Sequence, residues 1–274
     1  MHIPDGFLDA KTAVATAVLA GAGVAVALRQ AQIHMPRRKV PLMGLTAAFI
    51  FAAQMLNFPV VAGTSGHLVG AVLATVLLGP APAVLVMTAV LLVQSLLFAD
   101  GGLLALGANV FNMALVAPLA GYGVYRVMRL VARTETGRIF AVAFASWCSI
   151  VFAAMVCAGE LAWSSTSSWS VVFPAMVDVH MAIGVGEAII SSLVVVAVAK
   201  AKPEILRRDS PSIAQTSFVV WTLVLIFGLV IFVSPFALEW PDGLERVASA
   251  LGFDQQAVAR GFPSFGYATV WAGL

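Results

Sequence analysis

Residues Val172–Ala199, VFPAMVDVHMAIGVGEAIISSLVVVAVA, decide the fold. This run is apolar for longer than the roughly 20 residues that a helix needs to cross a bilayer. Further spans follow from the same reasoning at Ala13–Leu28, Val40–Val61, Ala83–Phe98, Leu104–Val127, Ile139–Leu161 and Phe218–Phe236. A shorter stretch, Leu68–Leu78, precedes Gly79-Pro80-Ala81-Pro82. It reads as a short crossing or half of a re-entrant pair, and with Ala83–Phe98 it makes a hairpin-like unit broken by two prolines. The expected architecture is all-α: a polytopic membrane helix bundle of about seven helices, with an eighth in a C-terminal extension. Composition agrees, since 61% of the 274 residues are hydrophobic and 10% are charged, against about 25% charged in soluble domains. Mean hydropathy is +0.99.

A net charge of +2 gives no global attraction for nucleic acid. Cys148 and Cys157 share one apolar segment and read as small helix residues, not as a disulfide or a zinc site. The start lacks the basic region of a cleavable signal. Basic residues then orient the chain. Arg29, Arg37, Arg38 and Lys39 fill one connection, Arg126, Arg129, Arg133 and Arg138 a second, and Lys200, Lys202, Arg207 and Arg208 a third. These fall on one side, which is expected to be cytoplasmic in a prokaryotic cell membrane. Met1 and His2 are then outside.

Met1-His2 carries the chemistry. A free α-amine, the residue 2 amide nitrogen and the His2 imidazole can grip one metal ion through fused five- and six-membered chelate rings. The bulky second residue disfavours removal of Met1, so this start is expected to be the mature one. Three nitrogens in a plane leave one position of a square open, which suits Ni(II) and Cu(II), with Co(II) close by. A chain can begin Met-His by chance, so the fourth ligand matters. Of the four histidines, His34 reads as a solvated cytoplasmic residue. His67 falls on the same side as His2 and can complete the square. Gly63 and Gly66 would allow close backbone approach, and Ser65 could orient a ring.

His180 and Glu187, seven apart, share one face of their helix. Ionisable residues inside a bilayer are costly and usually functional; a polar clamp between helices and a substrate role weigh equally here. Asp178 points elsewhere on that helix, and Glu160 ends its own helix near the outer surface. Asn109 and Asn112 are expected to tie helix ends or to support the N-terminal segment. Ala13, Ala17, Gly21 and Ala25 form a small-residue stripe that permits close packing, within the chain or with another subunit.

Four pieces carry a family resemblance: Met1-His2-Ile3-Pro4-Asp5-Gly6-Phe7-Leu8, Ser65-Gly66-His67-Leu68-Val69-Gly70-Ala71, Asn109 to Asn112-Met113, and His180 through Glu187. They spread from Met1 to about Lys202. The chain resembles the substrate-binding (S) component of energy-coupling factor transporters for nickel or cobalt, the CbiM/NikM type. The resemblance implies a six- or seven-helix bundle with the N-terminus inserted as a plug, and Met1, His2 and His67 as the metal ligands. Ser65, Asn109, Asn112, His180 and Glu187 would support them. It also implies a separate membrane coupling subunit and two ATP-binding-cassette ATPases, so the chain is a transport subunit and not an enzyme. The metal is then cargo, and no cofactor is expected. Pro4-Asp5 and Ser65-Gly66-His67-Leu68 look closer to nickel-type members.

Pro241-Asp242-Gly243-Leu244-Glu245 resembles the PDGLE region of the accessory small subunit of such systems. Pro-Asp-Gly is a turn, and an amphipathic helix is expected to run from it to about Leu251-Gly252-Phe253. The expected organisation is an S component over 1–202, a cytoplasmic linker over 203–217, and a membrane helix plus PDGLE-like module over 218–274. Ala268–Leu274 looks like the opening of another span, so the chain is shortened there or lies in the interface. The competing reading is a secondary cation transporter using buried Glu187 and His180, although no paired broken helices with internal repeats appear. An intramembrane enzyme finds no His-Glu-x-x-His helix or Gly-x-Ser-x-Gly elbow.

Overall fold

A computed structural model describes residues 1–61, 63–206, 220, 223–224, 226–228, 231 and 240–255. The membrane bundle is built from α1 (Ala10–His34), α2 (Val40–Gln54), α3 (Ala71–Leu78) and α4 (Pro80–Leu97). A continuous rod follows: α5 (Leu106–Asn109), a π-helical turn over Val110–Val116, and α6 (Ala117–Val131). Then come α7 (Glu135–Trp163) and α8 (Trp169–Ala201). α1, α4, α7 and α8 are long and apolar enough to cross a membrane. The final described helix is α9 (Gly243–Leu251). The expected eighth span, Phe218–Phe236, lies almost wholly outside the described residues, as do Arg207, Arg208, most of the linker and Ala268–Leu274.

Burial follows helical periodicity and puts the apolar surface outward. On α8, Val185, Ile189 and Leu193 are exposed, while His180, Gly184, Glu187, Ser191 and Val195 are buried on the opposite face. A bilayer would cover the outward face. The small-residue stripe of α1 is mostly unburied at Ala17, Gly21 and Ala25. The buried residues of α1 are instead Thr12, Thr16, Ala20, Ala27 and Ala31.

The expected span Val40–Val61 is shorter than its hydropathy suggests. α2 stops at Gln54, and Phe58–Pro59 pairs antiparallel with Ser65–Gly66 in a small hairpin. Pro59 has no N–H to continue a helix. The chain is then buried at every residue from Thr64 to Gly70 before α3 begins. Irregular backbone is tolerated within a membrane bundle only where protein satisfies its polar groups, and this segment meets that condition. Glu187 accepts from the Val69 N–H (2.6 Å) and the Gly70 N–H (2.8 Å), while Gln54 donates to the Val69 carbonyl (2.8 Å). At 1.5 Å per residue, α3 is roughly 12 Å long, less than half of a hydrocarbon core. It sits in the centre against α4, α6, α7 and α8, with nearly every side chain buried. The π turn ends where Ala117 N–H reaches back to the Asn112 carbonyl, just before Pro118, which has no N–H to give.

Candidate metal centre

The first nine residues form a plug instead of a helix. Met1, His2, Ile3 and Phe7 are all buried. Asn109 grips residue 3 from both sides: its Oδ1 accepts from the Ile3 N–H (2.7 Å) and its Nδ2 donates to the Ile3 carbonyl (3.0 Å). Gly102 N–H adds a bond to the same carbonyl at 2.9 Å. Asp5 accepts from the Leu103, Leu104 and Ala105 N–H groups, whose donors otherwise lack partners at the start of α5. Gly102 is needed for this approach, because a Cβ there would lie 2.1 Å from Asp5 Oδ1. Thr166 donates to the Phe7 carbonyl. The plug therefore sits at the end of the bundle that also carries residues 64–70, 98–105 and 164–168.

This seating brings the expected ligands together. The Met1 amine lies 3.2 Å from His67 Nε2, and the His2 and His67 rings stack at 5.3 Å. His67 Nδ1 donates to the Leu68 carbonyl at 3.2 Å, which leaves the Nε2 lone pair facing the amine. A chain of hydrogen bonds with a fixed end holds the Nε2 side of the His2 ring. The Val69 carbonyl can only accept, so Gln54 Nε2 donates to it. Gln54 Oε1 then accepts from Gln94 Nε2 at 2.8 Å, and Gln94 Oε1 accepts from His2 Nε2 at 3.2 Å. Nδ1 is the nitrogen that a six-membered ring with the residue 2 amide requires. It lies 3.2 Å from Asp100 Oδ1, a contact with a carboxylate that an entering metal would replace.

Burial works against charging either ring. Burial lowers His2, against the pull of Asp100. Burial, the Met1 ammonium and His2 together push His67 down to about 3. Neutral imidazoles are the metal-binding form.

A further residue joins the cluster. Asp242 Oδ2 lies 2.5 Å from the Met1 amine, and the ligand atoms of His2, His67 and Asp242 all lie within 4.8 Å of one another. Burial works to raise the Asp242 carboxyl, but the adjacent ammonium outweighs it and holds the group well below the usual carboxylate range. Glu245, behind it, is pushed up to about 7 by burial and by Asp242.

The other expected site residues stand outside the cluster, at different removes. His180 lines a small cavity with Met1, Gly66, His67, Asp242 and Gly243; its Nδ1 donates to the Met176 carbonyl at 2.7 Å. Glu187 holds the backbone behind His67 and does not face the amine. Asn112 donates to Glu160 Oε2 at 2.6 Å, tying helices together away from the plug. Ser65 does not orient a ring. Its hydroxyl donates to the Trp240 carbonyl (2.6 Å) and its N–H to the Pro241 carbonyl (2.9 Å), so it secures the PDGLE turn. Sequence reasoning missed Asp5, Gln54, Gln94, Asp100 and Asp242. The two glutamines carried a signal, as isolated polar residues in apolar runs.

Comparison with known proteins shows the family. The chain is 35% identical to a putative fused nickel transport protein NikMN of Archaeoglobus fulgidus over 95% of its length and 86% of that protein. It is 39% identical to a putative metal transport protein of Haloquadratum walsbyi, over 75% of this chain and 93% of that one. The crystal structure of a truncated transition metal transporter superposes with a TM-score of 0.66 at 34% identity, covering 73% of this chain and 99% of the other. Residues 2–205 match the family described as CbiM, cobalt uptake substrate-specific transmembrane region; the chain belongs to that family, and is a substrate-specific component of cobalt or nickel transport and not an enzyme.

Proposed function

We propose that the chain is the S component of an energy-coupling factor importer, which captures Ni(II) or Co(II) at the extracytoplasmic face. The ligands are the Met1 amine, the His2 amide nitrogen and Nδ1, and His67 Nε2. The observation that carries this reading is the 3.2 Å approach of the buried Met1 amine to His67 Nε2, with the His2 ring stacked beside it. The amine and amide release protons as the metal enters. The metal is cargo, and a coupling subunit with ATPases would drive its release inward. Nickel is slightly preferred, since a chelate with four nitrogens in one plane suits it and the Archaeoglobus relative is named for nickel; the family description names cobalt. Residues 1–202 would form the S component, and the segment from 218 its fused accessory region.

The secondary-transporter reading needs Glu187 as a coupling acid. Both of its oxygens already accept backbone N–H groups, which speaks against that role.

The test compares Ni(II) and Co(II) binding by the full chain starting at Met1 with a version extended by a few residues before Met1, and with His67→Ala. Stoichiometric binding by the native form and its loss from both variants is the expected result. Equal binding by native and extended chains would remove the α-amine from the site.

A further inference from the structure

We infer that Asp242 is a ligand to the transported metal, so that the PDGLE turn is part of the binding site and not merely an attachment to it. This rests on the chelate proposed above and adds an oxygen donor to its four nitrogens.

The carboxylate is built for one task per oxygen. Asp242 caps α9: its Oδ1 accepts from the Glu245 N–H at 2.9 Å, and Glu245 Oε2 accepts in return from the Asp242 N–H at 3.0 Å. This reciprocal cap fixes the side chain. Oδ2 is left pointing at the Met1 amine. Metal–nitrogen bonds are about 2.0–2.1 Å, so neighbouring donors at right angles sit roughly 2.9 Å apart and opposite ones roughly 4.2 Å apart. The observed amine–carboxylate and amine–imidazole separations of 2.5 and 3.2 Å straddle the first value. The ligand atoms of His2, His67 and Asp242, within 4.8 Å of one another, would draw in toward that same value around an ion.

The turn is docked so that it can hold this position. The Trp240 and Pro241 carbonyls accept from Ser65, two residues before His67. Leu244 is fully buried. A Cβ on Gly243 would lie 2.8 Å from His180 Cε1 and 2.7 Å from Ile183 Cδ1, so glycine is what allows the turn to come this close. Charge points the same way. A divalent ion with one deprotonated amide leaves a net positive charge in a buried site, and a buried charge needs a partner. Asp242 supplies it.

The test uses the full chain starting at Met1, loaded with Ni(II) alone or Co(II) alone and read by metal K-edge X-ray absorption and by release into excess chelator. Asp242→Ser keeps a good helix cap but is too short to reach the metal. Native protein should show four nitrogens and one oxygen. D242S should show four-coordinate planar nickel and release metal at least about tenfold faster. Gly243→Ala, which pushes the turn away, should do the same while leaving the carboxylate in the chain. An unchanged coordination number in D242S, or tighter binding, would overturn the proposal; tighter binding would make Asp242 only a competitor for the amine. His67→Ala separates the two readings. If it loses metal while D242S is unchanged, only the Asp242 assignment fails. If it keeps metal, the chelate itself fails.

Discussion

Replacing Asn109 by alanine tests whether the N-terminal seat and metal affinity are one quantity. The side chain makes two bonds to Ile3, at 2.7 and 3.0 Å, and both groups are buried. The Ile3 carbonyl keeps Gly102 as a donor, so that loss is an ordinary one of about 1 kcal/mol. The Ile3 N–H loses its acceptor inside the protein, which costs about 1–3 kcal/mol. The seat therefore loses about 2–4 kcal/mol. Where the segment stays in place, that cost falls equally on the metal-free and metal-bound states and cancels. Where it leaves, apparent affinity falls in proportion to the seated fraction, with a ceiling of about 1000-fold if the whole 4 kcal/mol is expressed. Asp5, Gly102 and Thr166 still hold the segment, so a loss of about tenfold, well short of that ceiling, is expected. Competition against a coloured chelator measures the affinity, and amide exchange over residues 3–8 measures the seating. Asn112→Ala is the control: it breaks the bond to Glu160 and should lower melting temperature without changing that exchange. Unchanged exchange in N109A, with an affinity within threefold of native, would refute the reasoning.

Other outcomes follow from the same geometry. Affinity should fall with pH, by up to roughly 100-fold per unit if amine and amide each release a proton; a flat profile between neutral and mildly acidic pH would exclude the amide. His67 lies at about 3 in the folded chain and near 6.5 when unfolded. The unfolded chain thus binds the extra proton between those values, so metal-free stability rises with pH across that window and is lost as pH falls through it. Thermal melts at pH 7 and pH 5 should show a smaller decline in His67→Gln than in the native chain. Glu187→Ala removes two charge-assisted bonds at about 1.5–3 kcal/mol each, and should lower both melting temperature and metal retention, with Glu187→Gln falling between; transport abolished in E187Q with stability and binding intact would instead favour ion coupling. Gln94→Leu strands the His2 Nε2–H, and should weaken metal binding while Gln54 still holds Val69; an unaltered affinity would show that the relay does not set the ring.

The spans were readable because hydropathy over some twenty residues is a local property. Its failure is informative. Val40–Val61 is apolar almost throughout, yet the chain leaves the helix after Gln54 and runs irregularly through the interior. Hydropathy registers that a segment avoids water, and an irregular segment packed inside protein avoids it as well as a helix does. The convergence of Met1, His2 and His67 was readable because the chelate reading of residues 1 and 2 asks for a further nitrogen, and the order of the spans puts His67 at the same end of the bundle. Asp242 was not. It meets Met1 across a separation of 241 positions, and Pro-Asp-Gly explains itself locally as a turn. The α9 helix beginning after that turn was readable for the same local reason.

The buried polar residues answer two requirements with the same bonds. The stretch from Thr64 to Gly70 cannot lie inside a bundle unless its backbone is satisfied, and Glu187, Gln54 and Ser65 satisfy parts of it. That stretch also carries His67. Gln54, bound to the Val69 carbonyl, forces Gln94 to present an oxygen to His2, and so holds the Nε2 side of the ring. A bond that makes the irregular backbone tolerable therefore also helps to orient a candidate ligand 52 positions before Gln54. Stability and metal affinity should fall together in substitutions at Gln54 and Glu187. They should separate at Gln94, which touches no backbone in this relay, and at Asp242, whose capping oxygen and site oxygen are different atoms.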